Sequence, residues 1–415
     1  MGVGAQTESM QTVDAAGLGI GDDHPPRIMG VLNVSEESPY DPSVYDDPGE
    51  AAAYVDEELI DEGADIVDVG LESANKRYDV LSAEEELDRL HVAVETIESV
   101  SGDAVFSIET RYAEVAEAAL DAGFDMVNDI CGFADPAMPE ICREYDVAVA
   151  KMASPPDLSR PGAISDVDWA ERKSSEWAER ADYVDRLYEA LGQNGLTDKT
   201  IVDPAFGGWS EHKTLDHDRE TFERLREFRG FGQPMLVSIN RKNFLGEVAG
   251  RDTDERLPVS LAATAMAVER GAHVIRTHDV RETRDAALIG DRFAPELASA
   301  SAGDVTVAEL DVRTADEARR HLDRIGGEAE LSDGVAARTF EVEGLDPTGR
   351  DRLVDAASEA GALAVPGERA TLLSGSPAAL ARVAASVGDE SGNKSLRESE
   401  TAENDLSSLL ETLLQ

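Results

Sequence analysis

Eight times between residues 27 and 292, a short apolar, β-branched run ends in polar residues and then gives way to helical periodicity. The runs are Arg27–Val34, Ala64–Gly70, Ala104–Ile108, Phe124–Asn128, Val147–Ala150, Thr200–Val202, Met235–Ile239 and Ala272–Arg276. Such runs suit buried strands. Helical patterns follow near 50–62, 83–100, 111–122, 137–144, 167–192, 219–228, 258–270 and 281–291. Several close on glycine, at Gly63, Gly123 and Gly271, which is a common helix stop. Strands alternating with helices imply a parallel sheet. Eight units in about 270 residues are what a (β/α)8 barrel requires. The competing arrangement, a doubly wound open sheet, has fewer units and a Gly-rich first turn, and no such turn follows Val34.

In such a barrel the reacting groups sit at the C-terminal ends of the strands. The polar residues that break the apolar pattern fall there: Asn33, Glu72, Glu109, Asn128, Lys151, Asp203, Lys242, Arg276 and His278. Any one of them could be a satisfied structural polar group; their convergence on one rim argues for one pocket. Lys242, Arg276 and His278 are donors on the last two strands, where barrels commonly hold phosphate. Arg grips an oxyanion with two parallel hydrogen bonds. The competing role for Arg276 in so acidic a chain is an ion pair with Asp279 or another acid. Glu109, Asn128 and Asp203 form a complementary set able to read the nitrogens of a polar heterocycle. Asn33, backed by Glu36 and Glu37, could hold Mg2+, which takes oxygen ligands and bridges phosphate oxygens; a turn-forming role is the alternative. Mg2+, an anion clamp and a heterocycle slot together suggest displacement of diphosphate by a nucleophile.

Composition narrows the setting. The formal charge is -48 over 415 residues. A surface this acidic repels nucleic acid and anionic membranes, and suits a high-salt, halophilic cytoplasm where screening removes self-repulsion. No apolar run is long enough to span a bilayer and no signal sequence opens the chain, so the expected location is cytoplasmic. Cys131 and Cys142 fit neither a zinc site nor a disulfide framework. Residues 1–25 read as a flexible leader, 26–295 as the barrel, and 304–388 as a small α+β domain for which a ferredoxin-like sandwich is one fitting arrangement. Within that domain Val305–Val312 reads as a strand. Residues 389–415 read as an acidic, largely disordered tail, with a short amphipathic helix at Leu406–Leu414.

Residues 27–292 resemble dihydropteroate synthase, a pterin-binding barrel family. The blocks that carry the resemblance are Ile28-Met-Gly-Val-Leu-Asn-Val-Ser35, Gly63-Ala-Asp-Ile-Val-Asp-Val-Gly70 with Glu72-Ser73, Ile108-Glu-Thr110, Asn128-Asp-Ile-Cys-Gly132, Asp203-Pro204, Arg241-Lys242-Asn-Phe-Leu-Gly246 and Arg276-Thr-His-Asp-Val280. The resemblance implies condensation of a pterin methyl diphosphate with p-aminobenzoate, releasing diphosphate. By position it implies pterin binding by Glu109, Asn128, Asp203 and Lys242, with Met152 (or its neighbour Lys151) lining the slot. It implies Mg2+ at Asn33, a diphosphate clamp from Arg276 and His278, and a homodimer. Catalysis falls to Lys242, Arg276 and His278. Departures from the family pattern bear on the nucleophile. Ala74 and Asn75 stand where Thr-Arg is usual, with Lys76 and Arg77 close behind. Glu37 and Glu109 replace Asp, and the Gly-Phe-Gly-Lys run is altered to Gly207-Gly-Trp-Ser210. An aryl amine other than p-aminobenzoate, a pterin-dependent methyltransferase and a non-catalytic pterin-binding protein are the alternatives.

Overall fold

The computed structural model describes residues 10–34, 43–72, 80–302, 305–389 and 399–414. Its chain divides into two compact units, Met1–Glu309 and Leu310–Gln415.

Eight parallel strands form the first unit's sheet: β1 (Arg27–Asn33), β2 (Ile66–Gly70), β3 (Val105–Thr110), β4 (Met126–Asp129), β5 (Ala148–Met152), β6 (Thr200–Asp203), β7 (Leu236–Val237) and β8 (Val274–Thr277). Each pairs with its sequence neighbour from β1 to β6, and β8 lies between β1 and β7. A bridge from Val202 to Met235 closes β6 on β7, completing the barrel. Strands buried on both faces read as continuous apolar runs; every residue of β2 is buried.

Strand alternation divides the side chains between two cores. Met29, Ile66, Val105, Met126, Ala148, Ile201, Leu236 and Val274 fill the barrel interior at its N-terminal end. Ile28, Val67, Val127, Val149, Val202 and Ile275 face the helices. The helices begin where side chains cap them. Ser82 and Glu85 form a capping box at α1 (Ala83–Ser99), satisfying two free amides at once. The stretch 167–192, expected as one helix, is three: Trp169–Arg172, Ser175–Arg180 and α2 (Tyr183–Leu191). Ser174 and Asp182 accept amide hydrogen bonds from Trp177 and Asp185, so each starts a new helix.

The leader is not loose where it is described. Val13–Ala15 and Leu18–Ile20 pair as an antiparallel hairpin. Val13, Ala15 and Ile20 are fully buried in the interior core, so the hairpin plugs the barrel floor. Asp22 then bonds the His273 ring and the Arg229 guanidinium, fastening the hairpin's exit. Apolar alternation at Val13, Ala15 and Ile20 was the available signal.

The second unit contains three antiparallel strands, Arg338–Glu343, Leu363–Pro366 and Ala370–Gly375, with the last in the middle. Val305–Ala308, expected as a strand of this unit, instead pairs with Ser299–Ala302 ahead of the division at residue 309. Among the described residues four α-helices accompany the sheet: Ala315–Ile325, Pro347–Ala360, Pro377–Asp389 and Ser399–Leu414. The order strand–helix–strand–strand–helix matches the first part of a ferredoxin-like sandwich. A helix stands where that fold has its fourth strand. The expected disorder fails at 399–405, because the helix expected at Leu406–Leu414 begins at Ser399; Leu406 and Leu410 are buried in this unit's own core. Residues 390–398 lie outside the described residues.

Candidate active site at the C-terminal rim of the barrel

Inward positions near the strand ends carry the polar groups. Asp68 on β2, Glu109 on β3, Asn128 on β4, Asp203 on β6 and Arg276 on β8 face one another across the barrel. Arg276 spans it: Nε donates to Asp68 Oδ2 at 2.7 Å, and Nη2 to Glu109 Oε2 at 2.6 Å. Asn128 Nδ2 donates to the same Asp68 oxygen at 2.9 Å. The other Asp68 oxygen is buried and has no partner among the described residues. An orphaned carboxylate oxygen in a native site asks for a ligand donor. Arg276 is paired with acids, as the competing reading had it, but Asp279 is not among them. Asp279 grips Arg241 with both oxygens, at 2.8 and 2.9 Å, and accepts from Asn240. It therefore positions Arg241, and makes no side-chain cap on the helix that follows.

Burial and mutual charge set the protonation states. Burial pushes Glu109 up to about 7, against the pull of Arg276 and with the help of Asp68. Burial likewise raises Asp203 to about 6, although Ala205 N donates to it at 2.7 Å. Lys242 is lowered by burial and by the Arg276 charge. For Arg276 burial works against the charge, but Glu109 and Asp68 outweigh it and keep the guanidinium protonated. Burial, then Arg276 and Lys242, drive His278 down to about 3. Its ring is neutral near pH 7 and can act there as a hydrogen-bond donor rather than a cation. Shifts of this size clustered in one cleft mark a functional site.

Two of the nine rim residues turn elsewhere. Lys151 points outward, its Nζ donating to the carbonyls of Gln193 at 2.6 Å and Gly195 at 2.7 Å, 4.3 Å from the Phe133 ring centre. Alternation therefore puts Met152, not Lys151, on the inward side of β5. Glu72 bonds the buried Arg111 at 2.7 Å and the Leu81 amide at 3.3 Å; Arg111 also reaches the Leu158 carbonyl. Asn33 Nδ2 donates to Ser43 Oγ at 3.0 Å, and Ser43 Oγ stands 3.4 Å from His278 Nδ1. Glu36, Glu37, Ser73, Ala74, Asn75, Lys76 and Arg77 lie outside the described residues. Asp68 escaped the sequence reading because it sits inside a strand, flanked by valines. Its signal was a carboxylate at an inward-parity position of a run buried on both faces.

Beside Lys242 opens a cavity of about 250 Å3, walled by Gly207, Gly208, Lys213, Thr214, Arg241 and Lys242. Lys213 is buried and paired with Asp218 at 2.9 Å. Gly207 has φ +119°, and a Cβ there would stand 3.1 Å from Lys242 Nζ; glycine lets the loop backbone approach that ammonium.

The sequence profile of the family described as "Pterin binding enzyme" matches residues 29–278. A dihydropteroate synthase of Escherichia coli is 32% identical over 265 residues, 63% of this chain and 89% of that one. A probable bifunctional folylpolyglutamate synthase/dihydropteroate synthase of Halobacterium salinarum is 35% identical over 255 residues. That match covers 61% of this chain but only 30% of the larger protein. Among solved structures, dihydropteroate synthase of Coxiella burnetii in complex with pteroic acid superposes with TM-score 0.53 at 29% identity, over 68% of this chain and 96% of that one. The Xanthomonas albilineans enzyme with 4-aminobenzoic acid gives TM-score 0.53 at 29% identity, over 68% and 97%.

Proposed function

The chain belongs to the pterin binding enzymes, and on that premise we infer that it is a dihydropteroate synthase, a transferase joining a dihydropterin methyl diphosphate to p-aminobenzoate. The observation that carries the reading is the set of buried Asp68, Asn128 and Asp203 with half-buried Glu109 and Arg276. An inner pocket rich in acceptors fits a heterocycle with several N–H donors. We assign Glu109, Asn128, Asp203 and Lys242 to the pterin, with Met152 lining its slot. The unpartnered Asp68 oxygen supplies one more acceptor for a ring N–H.

The amine nitrogen attacks the pterin methylene carbon as that carbon's bond to the diphosphate oxygen breaks. The bonding pair leaves on diphosphate, and the proton lost by the amine passes to water. Arg276 and His278 are assigned to the leaving group. Arg276 Nη1 has no partner among the described residues, and the neutral His278 ring can donate a hydrogen bond. Donors placed where charge develops lower the barrier most. The cavity beside Lys242, with Lys213 and Arg241, suits the carboxylate end of the aryl amine.

Mg2+, when bound, would neutralise charge on the diphosphate oxygens. Asn33 fits as its protein ligand. Its Nδ2 is committed to Ser43, which leaves the amide oxygen, the atom a hard cation prefers. Among the described residues there is no cluster of three acidic, His or Cys groups that could hold a metal; Glu36 and Glu37 lie outside them.

A halophilic cytoplasm remains the setting that suits the acidic composition, and no described helix is long and apolar enough to cross a membrane. A homodimer is supported by the helix Leu257–Glu269. It has no charged residue before Glu269 yet leaves Met266 45% exposed, in a chain where 30% of residues are charged.

Diphosphate release in concentrated salt tests the reading, with pterin diphosphate, Mg2+ and p-aminobenzoate supplied. Turnover supports it. Release only with another aryl amine reassigns the nucleophile, and pterin binding without release with any amine overturns the catalytic role.

A further inference from the structure

The segment 155–165 after β5 and the altered run Gly207-Gly-Trp-Ser210 after β6 meet in the fold. The indole of Trp209 lies against Gly162. A Cβ built on Gly162 would fall 2.4 to 2.8 Å from Trp209 Cγ, Cδ1 and Cδ2, and Gly162 has φ +63°. Only glycine meets both conditions without strain. Trp209 Nε1 donates back to the Phe206 carbonyl at 3.2 Å, which folds the loop over its own base. Gly162 is itself anchored. Its amide donates to the buried Ser154 Oγ at 2.9 Å, and Ser154 Oγ donates to the Ile130 carbonyl at 2.7 Å. A second fastening lies alongside, where His212 Nδ1 stands 2.7 Å from Asp166 Oδ1 and Arg160 pairs with the same carboxylate. From the inner side, Lys213 holds the loop to Asp218 and to the Ala205 carbonyl.

The loop so fixed is the wall of the cavity beside Lys242: Gly207 and Gly208 precede Trp209, and Lys213 and Thr214 follow it. Trp209 does not line that cavity, so any influence it has passes through the backbone.

We propose that Trp209 seated on Gly162 is a positioning device that sets the width of the aryl-amine cavity and so selects the amine. The proposal rests on the dihydropteroate synthase reading. The side chains assigned to the pterin are Glu109, Asn128, Met152, Asp203 and Lys242; Lys242 also borders the cavity, but none of the five bonds the segment 155–165 or Trp209. Loosening the seat therefore changes amine binding far more than pterin binding.

The test is steady-state kinetics of the full chain in high salt, varying each substrate in turn, with thermal unfolding as a parallel readout. Trp209→Ala is expected to raise KM for p-aminobenzoate about tenfold, the scale of a 1.4 kcal/mol loss. KM for the pterin diphosphate should stay within about a factor of two. Trp209→Phe, which keeps a flat ring, should recover most of the loss. Gly162→Ala should raise the amine KM in the wild type, where its methyl meets the indole, and much less in the Trp209→Ala background. This non-additivity is the signature of direct contact. If Trp209→Ala fails to fold, the Gly162→Ala and Trp209→Phe arms still decide. Equal rises in both KM values, an unchanged amine KM, or strict additivity of the two substitutions would overturn the proposal. A wild-type chain that turns over no aryl amine sinks the functional reading instead, which separates the two failures.

Discussion

Asp68→Asn removes one charge with little change of shape, and puts an NH2 donor where the unpartnered oxygen stood. Asp68 is 0% exposed, and one of its oxygens receives both Arg276 Nε, at 2.7 Å, and Asn128 Nδ2, at 2.9 Å. The amide is nearly isosteric, so no cavity opens, and its oxygen can still accept from both donors. The charge is lost. A hydrogen bond to a charged group contributes about 1.5–3 kcal/mol, and a neutral one about half as much. The expected loss in holding Arg276 is therefore about 1–1.5 kcal/mol, and with the ring acceptor also lost kcat/KM for the pterin diphosphate falls by at least about tenfold. A second consequence has a fixed sign. Asp68 helps to raise Glu109 to about 7, beneath the larger effect of burial and against Arg276. Neutralising Asp68 stabilises the Glu109 carboxylate, so the acid limb that Glu109 imposes on the pH–rate profile moves to lower pH. The assay is kcat/KM in high salt from about pH 5 to about pH 9. A variant within about twofold of wild type, with its acid limb unmoved, would refute the claim that Asp68 orients Arg276 and couples to Glu109.

Glu86 is 1% exposed, bonded to Thr110 Oγ1, and raised by burial to about 7. A carboxyl whose folded pKa lies above its ordinary 4.5 costs no stability below that value, and its full cost is present above about 7. The cost is about 3 kcal/mol. Glu86→Gln should thus gain stability over wild type as pH rises through this window, read by denaturant unfolding; a pH-independent difference counts against it. Arg111→Ala strands the Glu72 carboxylate, which burial already raises, and should cost about 3 kcal/mol. Adding Glu72→Gln should return part of that loss in the same assay, and a purely additive double variant would show that the pair is not coupled. Asp22→Asn removes the partner of His273 and Arg229. Asp22 is about one-third exposed, so the expected loss is on the order of 1 kcal/mol, seen as faster hydrogen exchange in the hairpin; exchange at the wild-type rate would discount the tether.

The barrel was legible because its physics is local. Each strand is buried on both faces and so reads as an apolar run, and each run stops where the chain meets the rim. The same rule exposed Glu109, Asn128, Asp203, Lys242 and Arg276 as interruptions. It failed at Asp68, which interrupts a run from within, and at Lys151, whose strand-end position says nothing about which side of β5 it faces. Only the Gln193 and Gly195 carbonyls, more than forty residues away, decide that Lys151 turns outward. Arg276 showed in the sequence as a cation. That two acids already hold it is a long-range fact, set by β2 and β3 standing across the barrel. The hairpin was missed for a different reason: its strands have three residues each, too few for a period-two pattern to stand out in a polar, Gly-rich stretch.

That hairpin decides how the molecule can be handled. With Val13, Ala15 and Ile20 sealed into the barrel floor, the hairpin stands at the end of the barrel opposite the rim. An affinity handle or surface tether attached there would hold the protein with its catalytic mouth facing solution. Immobilisation through that end should therefore leave access to both substrates intact, provided that the linker is added ahead of the hairpin and never cuts into it.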